Sequence, residues 1–501
     1  MVANPIKQAG VLLRRDHTLG VLLERVASVR GGVALVDEAD GGLRLTAREA
    51  ADRVAAWAGG VAAATDRGDV VVVAAPNGYE QLLLCLAVAR AGAIPAPVND
   101  QMRPDEIAHV QRDSGATLTL ASAADLPPAE PLAKAVPADP GAVAALFYTS
   151  GTTGKPKGVE LTHRSLVGSL MAGVLLPSGL RHDEAVMSLP MAHIMGFTAA
   201  LGMACAGISV HFLPKFHPVR VLDAIEQRRP SLYVGVPAMY RMLLDAGAEE
   251  RDLHSIRLWI SGADAMPAEL ATRFKKMGAT AELPLIGAVG EAGFAEGYGM
   301  VETGGGVAAK LSPPMLGLGL GSSMGMALPG YSFRVVDEAG AGVRMGAVGE
   351  LLVKGPGVLK GYRGDAEATA ATFTDDGWLR TGDLARLGPF GTVFFVGRQK
   401  DVVKHGGYSV YCVEVEQALE LHPDVVEAAL VGLPDERKGE LPAAVVRLRA
   451  GATVDADGLR AWAAERLSDY KVPVRIVVAD ELPKTGTNKV QRKELLGLFA
   501  P

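Results

Sequence analysis

The chain has 501 residues, with 50 Lys and Arg against 56 Asp and Glu for a formal net charge of -6, and 49% of its side chains are hydrophobic. That length exceeds what one hydrophobic core serves, and so large an apolar fraction argues against extended disorder. No run of Lys or Arg is present to follow a phosphate backbone, so nucleic acid is not an expected partner.

Three cysteines, Cys85, Cys205 and Cys412, stand far apart without CxxC spacing, which argues against a disulfide framework or a thiolate zinc site and fits a reducing compartment. The first apolar run is broken by Arg14, Arg15 and Asp16, unlike the core of a signal peptide, so a cytoplasmic location is expected.

In chain order, residues 45–98 read as a helix (TAREAADRVAAWAGGVA), a buried strand from Val70, a second helix over 79–90 and a strand (AIPAPV), the alternation of an α/β body with parallel strands. Residues 127–141, rich in Pro and Ala, read as a loop, and the apolar run 143–148 then meets the segment SGTTG. A second alternating stretch covers 185–212, 221–228, 232–236 and 258–261. Within it, residues 196–213 carry no formally charged side chain and approach the length of a membrane span. Glycines, Thr198, Ser209 and His211 dilute that apolarity, and the β-branched Ile208 and Val210 mark a change of period, so the stretch reads as a core helix followed by a strand, with at most peripheral membrane contact for the protein. Beyond Gly330 short β-branched strands with glycine turns predict a small bent sheet, and the last hundred residues carry their own α+β pattern. The expected fold is therefore α/β: a large N-terminal body of layered α/β lobes plus a small bent β-sheet, residues 1–397, followed by a mobile C-terminal α+β lid domain, residues 398–501.

The strongest chemical signal is residues 148–158, YTSGTTGKPKG. Gly151, Gly154 and Gly158 allow close backbone approach, Thr149, Ser150, Thr152 and Thr153 add hydroxyls, and Lys155 and Lys157 add positive charge, which suits a polyphosphate. A solvated Gly/Thr turn shares this composition. The order GxxxxGK[ST] is absent, so a nucleoside-triphosphatase P-loop is not supported.

This segment resembles the phosphate loop of the adenylate-forming superfamily of acyl-CoA synthetases, adenylation domains and firefly luciferases, closest to the fatty acyl-CoA ligases, and the resemblance continues in order to the C-terminus. It implies that Thr149, Ser150, Gly151, Thr152, Thr153, Gly154 and Lys157 hold phosphates. In GYGMVET it implies an adenine site at Gly297, Tyr298 and Gly299, with Glu302 holding magnesium. Where the family has Thr this chain has Val301, which cannot donate, so Thr303, Thr152 or backbone amides are expected to supply that phosphate contact. SGADAM is similar to the family's turn along adenine and ribose and points to Ala263 and Asp264. WLRTGD and GRQKD imply ribose contacts by Asp383 and Arg398 and a hinge at Lys400. The closing PKTGTNKVQR places the catalytic lysine at Lys489, with Asn488 where the family has Gly.

The stretch LPMAHIMGF resembles the lining of the acid pocket, where His193 would gate the pocket or touch the reacting carboxylate. Amino-acid-activating relatives carry an Asp where Ile194 stands, and a zwitterion would leave a buried charge unpaired here, so the acid is not expected to be an α-amino acid. Met195, Phe197, Val236, Gly262, Met300 and Gly304 are the expected acyl-pocket residues, apolar and adaptable, which favours a medium- or long-chain fatty acid, with an aryl or branched acid next. The expected cofactors are ATP, Mg2+ and coenzyme A. Transfer to a carrier protein's phosphopantetheine thiol is the first alternative, since Ser409 and Cys412 depart from the family's GxNVxP form; a weakly active acyl-nucleotide binding protein is the second.

Overall fold

The computed structural model describes residues 5–14, 16–149, 156–175, 183–283, 286–314, 323–484 and 490–499. The chain divides into two compact units, residues 1–332 with 353–379, and residues 333–352 with 380–501.

The first unit is organised by a sheet whose parallel strands run side by side in the order Gly293–Met300, Leu258–Gly262, Leu232–Gly235, Glu184–Met187, Ser209–Phe212 and Ala34–Glu38. Helices connect them: Ile194–Ala206, Pro218–Arg228, Pro237–Asp245 and Ala268–Met277. Gly207, at φ 71°, ends the first of these in the left-handed conformation, and the chain turns directly into the strand Ser209–Phe212, as the change of period predicted. No helix among the described residues is long and apolar enough to cross a membrane.

A second, three-stranded parallel sheet has Val70–Val73 at its centre, buried on both faces, between Ile94–Pro97 and Leu118–Leu120. Pro95 and Pro97 lack N–H groups and accordingly sit on an edge strand. Against it packs the helix Tyr79–Arg90, almost wholly buried. A third sheet is the antiparallel pair Val143–Thr149 and Lys157–Thr162 with Gly361–Tyr362 beside the latter. Among the described residues of this unit one core joins the N-terminal helices to Phe147, Phe197 and Met187, a second gathers Tyr233, Tyr240, Trp259 and Phe274 edge to face with Phe294 tilted against Tyr240, and a smaller one holds Val70, Val72, Val98 and Leu146.

In the second unit, the bent sheet runs Ser332–Val336, Val348–Lys354, Leu379–Leu387, Val393–Arg398. The C-terminal sheet pairs Val402–His405 with Tyr408–Tyr411 and Val425–Asp435 with Gly439–Leu448, with Arg475–Val478 parallel to the latter. Its central strands alternate: Ala428, Leu430, Ala444 and Val446 face the helices Cys412–Glu420 and Ala456–Ala464, whereas Ala429, Val431, Ala443 and Val445 meet Leu482, Leu495 and Phe499. This period-two split explains why VVEAALVGL and LPAAVVRL read as continuous apolar runs.

Candidate active site

Ligands of open α/β sheets bind beyond the carboxyl ends of the strands, where loops diverge. Four successive loops leave that end of the large sheet. The one after Glu184–Met187 carries His193, and Val236 follows Leu232–Gly235 directly. Ala263 and Asp264 follow Leu258–Gly262, and Tyr298 to Glu302 close the strand Gly293–Met300 and the short turn Val301–Thr303. Register brings the motifs together: Ser261 pairs with Glu296 and Gly262 with Gly297. The strands SGADAM and GYGMVET, 30-odd residues apart in sequence, are thus immediate neighbours.

Several positions explain their residue types. A Cβ at Gly299 would lie 2.0 Å from the Gly305 carbonyl oxygen, so only glycine fits. One at Gly262 would lie 3.4 Å from the Met195 methyl group, which places that thioether over the strand end. Gly304, at φ 65°, closes the turn after Thr303. Ala263, at φ 67°, holds a left-handed backbone that a β-carbon disfavours. Asp264 is exposed and accepts the Ala265 N–H at 2.8 Å. Tyr298 is half-buried, with its backbone paired to Ala308.

His193 caps the helix Ile194–Ala206, its Nδ1 accepting the Met195 N–H at 3.2 Å. An Nδ1 lone pair used in this way leaves the neutral ring's proton on Nε2, the tautomer that donates to a carboxylate. Phe197, one turn in, is fully buried edge to face with Phe147 at 5.2 Å, which makes it part of the main core. Met300 and Val236 are partly buried against that core, as is Val301, the apolar substitute for Thr.

Thr303, expected among the phosphate contacts, is buried; its hydroxyl hydrogen is shared between the Gly305 and Met300 carbonyls at 2.7 and 3.0 Å, and its oxygen accepts the Met300 N–H at 3.0 Å, in the turn that carries Glu302.

Thr149 pairs with Lys157 at the base of the YTSGTTGKPKG segment; Ser150, Gly151, Thr152, Thr153, Gly154 and Lys155 lie outside the described residues, as do Asn488 and Lys489. Lys157 is held by Asp365 at 3.0 Å and lies 5.4 Å from the centre of the Tyr362 ring. The Tyr362 hydroxyl in turn donates to Glu302 Oε1 at 3.1 Å. The base of the hairpin and the carboxylate therefore converge on one tyrosine, which the motifs alone did not reveal. Burial, with Glu302 beside it, pushes the Tyr362 phenol well up, so it remains a proton donor.

Among the described residues no group of three or more His, Cys, Asp or Glu side chains comes together to hold a metal. A single carboxylate with phosphate oxygens completing the shell is nonetheless a donor set that Mg2+ accepts, and Glu302 fits it.

In the second unit, Asp383 and Arg398 are directly opposite on neighbouring strands, with Arg398 Nε 3.3 Å from Asp383 Oδ1. Asp383 is buried and its backbone N–H donates to Thr381 Oγ1 at 3.0 Å. Lys400, exposed, sits in the short turn Gln399–Asp401 that follows Arg398.

A parallel sheet with the SGADAM and GYGMVET loops at the carboxyl ends of neighbouring strands is the fold of the adenylate-forming enzymes. Residues 23–363 match the AMP-binding enzyme family and residues 414–489 match the AMP-binding enzyme C-terminal domain; the chain belongs to this adenylate-forming family. Its relatives include feruloyl-CoA synthase of Amycolatopsis sp, 36% identical and covering 92% of this chain and 95% of the relative. Indoleacetate--CoA ligase of Aromatoleum aromaticum is 34% identical over 85% of this chain and 87% of its own. Long-chain-fatty-acid--CoA ligase of Bacillus subtilis is 35% identical over 71% of this chain and 61% of its own. Among solved structures, o-succinylbenzoate coenzyme A synthetase of Bacillus subtilis in complex with ATP and magnesium ion superposes with a TM-score of 0.81 at 27% identity, covering 95% of this chain and 99% of that one. The adenylate-forming CoA ligases of this family use ATP, Mg2+ and coenzyme A.

Proposed function

We propose that this chain joins a hydrophobic carboxylic acid to AMP and passes the acyl group to coenzyme A. The observation that carries this reading is the Lys157–Tyr362–Glu302 cluster at the foot of the phosphate hairpin, beside the paired strand ends of Gly262 and Gly297. The acid's carboxylate attacks the α-phosphorus of ATP and pyrophosphate leaves; the coenzyme A thiol then attacks the acyl carbon and AMP leaves. His193 would present its Nε2 proton to the carboxylate, and Tyr362 and the Thr303 turn orient Glu302. The magnesium that Glu302 would hold neutralises phosphate charge. Asp383 and Arg398 would engage the ribose, and Lys489 would bring its ammonium to the α-phosphate, stabilising the charge that grows there. The lid, residues 398–501, would turn about Lys400 between the two steps.

The acid we infer is a ring-bearing one with its carboxylate on a short arm. Feruloyl and indoleacetate, named for two relatives that match most of the chain, share that form, and the Met195 thioether lies against Gly262 as an apolar, polarisable contact. A medium- or long-chain fatty acid is the second reading, favoured by the fatty-acid relative. Pyrophosphate release measured with a panel of arylpropenoic, arylacetic and straight-chain acids separates the two, and absence of release with every acid would overturn the enzyme reading itself. Supplying coenzyme A or a phosphopantetheinylated carrier protein identifies the acceptor.

A further inference from the structure

The two parallel sheets of the first unit are tied together at one side chain. Asn77 stands in the loop that leaves Val70–Val73, the central strand of the small sheet, and enters the helix Tyr79–Arg90. Its side-chain oxygen accepts the Met191 N–H at 2.8 Å, and its amide nitrogen donates to the Pro214 carbonyl at 2.7 Å. Those partners lie just beyond neighbouring strands of the large sheet, Glu184–Met187 and Ser209–Phe212. An N–H needs an acceptor and a carbonyl needs a donor, so the pair of contacts calls for an amide: a carboxylate has no hydrogen to offer Pro214.

The loop that Asn77 holds carries His193. Ser188 donates to the Leu213 carbonyl at 2.8 Å, the His193 N–H donates to the Pro190 carbonyl at 3.1 Å, and a Cβ at Gly196 would lie 2.2 Å from that same oxygen. The helix Ile194–Ala206 therefore starts hard against Pro190, and His193, its cap, goes where Pro190 and Met191 are put. Met191 is fully buried, and its N–H is met by a side chain 114 positions away in sequence. Asn77 is fixed in its turn by the buried Glu38, whose carboxylate accepts the Tyr79 N–H at 2.6 Å and the Leu43 N–H at 2.8 Å. A Cβ at Gly78 would stand 2.9 Å from Glu38 Oε1, so glycine allows the loop to come this close.

The nucleotide motifs lie elsewhere. SGADAM follows Leu258–Gly262 and GYGMVET closes Gly293–Met300, both on the far side of Leu232–Gly235 in the strand order. We infer that Asn77 is a positioning residue for the acid substrate: by holding Met191 and Pro214 at once it fixes the loop that presents His193 to the carboxylate. The inference rests on the role proposed for His193. A reacting group misplaced by about 1 Å costs on the order of a hundredfold, and a loop that keeps its other ties shifts by less, so a loss of about tenfold falls to the acid alone.

The test follows pyrophosphate release by the full-length chain with cinnamate, phenylacetate and decanoate, each variant being compared on the acid that the unaltered chain uses best. Asn77→Ala is expected to raise KM for the acid by about tenfold and to leave KM for ATP within about twofold. Asn77→Asp keeps the oxygen that meets Met191 but faces the Pro214 carbonyl with a carboxylate; it should show the same selective loss, and it serves if Asn77→Ala fails to fold. In a chain already carrying His193→Ser, which retains a cap for the helix, Asn77→Ala should add less than about twofold, because the two residues act through one loop. A lowered melting temperature with KM for the acid unchanged, or equal rises for acid and ATP, would overturn the inference. If His193→Ser leaves KM for the acid unchanged, the role of the histidine fails and the inference with it; if His193→Ser raises it and neither Asn77 variant does, the histidine's role stands and only the positioning fails.

Discussion

Ala263 carries a backbone penalty that glycine would not. A β-carbon at φ 67° costs about 1–2 kcal/mol, and the extra freedom of glycine in the unfolded chain returns about half of that. Ala263→Gly should therefore stabilise the first unit by about 0.5–1 kcal/mol, read as a higher urea midpoint at unchanged slope. Tyr362→Phe removes a hydrogen bond to a carboxylate, an interaction of about 1.5–3 kcal/mol. The expected result is acyl-AMP formation slowed by about tenfold with a higher magnesium requirement, and an unchanged magnesium titration would refute the orienting role. Ordered motifs single out Glu302, Asp383 and Arg398 in the sequence, and the structure sets Asp383 opposite Arg398. Tyr362 was not legible there, since its contact with Glu302 joins residues 60 positions apart and no local spacing encodes it. The local bonds of Thr303 to the Met300 and Gly305 backbone were likewise not announced by its spacing, since a small hydroxyl beside a glycine turn finds partners in its own backbone.

At the scale of elements, His163 lies at the start of the helix His163–Val167 and accepts the Leu19 N–H at 3.0 Å through Nδ1. Burial pulls its imidazole down to about 4. An unfolded histidine titrates near 6.5, so the stability gained by keeping it neutral is whole above that pH and is lost as pH falls towards 4, a swing on the order of 3 kcal/mol. His163→Gln should flatten the acid limb of the stability profile between those values; an identical limb would show that other groups set it. The helix Tyr79–Arg90 was legible because its length, composition and flanking turns agree. The register that sets Gly262 beside Gly297 was not, because parallel pairing is decided by the packing of helices on both faces rather than by the strands' own residues.

For the whole molecule, the change of texture after Gly330 and the separate C-terminal pattern were visible in sequence, whereas the grouping of residues 333–352 with 380–501 depends on strands returning to one sheet across a long excursion. All three cysteines are buried, and burial pushes the Cys205 and Cys412 thiols up to about 12. The folded chain should thus resist iodoacetamide at neutral pH, with no carbamidomethylated peptide found by mass spectrometry until denaturant is added; rapid labelling of Cys412 in buffer would contradict the bond its thiol donates to the Asp401 carbonyl at 2.7 Å. Lys400→Pro is expected to slow thioester formation more than acyl-AMP formation, and an unaltered thioester rate would count against a hinge there.

The edge-to-face cluster around Trp259 also has an optical consequence. This indole is shut away from solvent among Tyr233, Tyr240 and Phe274, whereas Trp462, in the C-terminal α+β fold, lies under the Arg466 guanidinium at 3.3 Å. A chain retaining only Trp259 would fluoresce at short wavelength and report the melting of the large sheet, and one retaining only Trp462 would report the other unit, so a pair of single-tryptophan variants lets the melting of each unit be followed by itself.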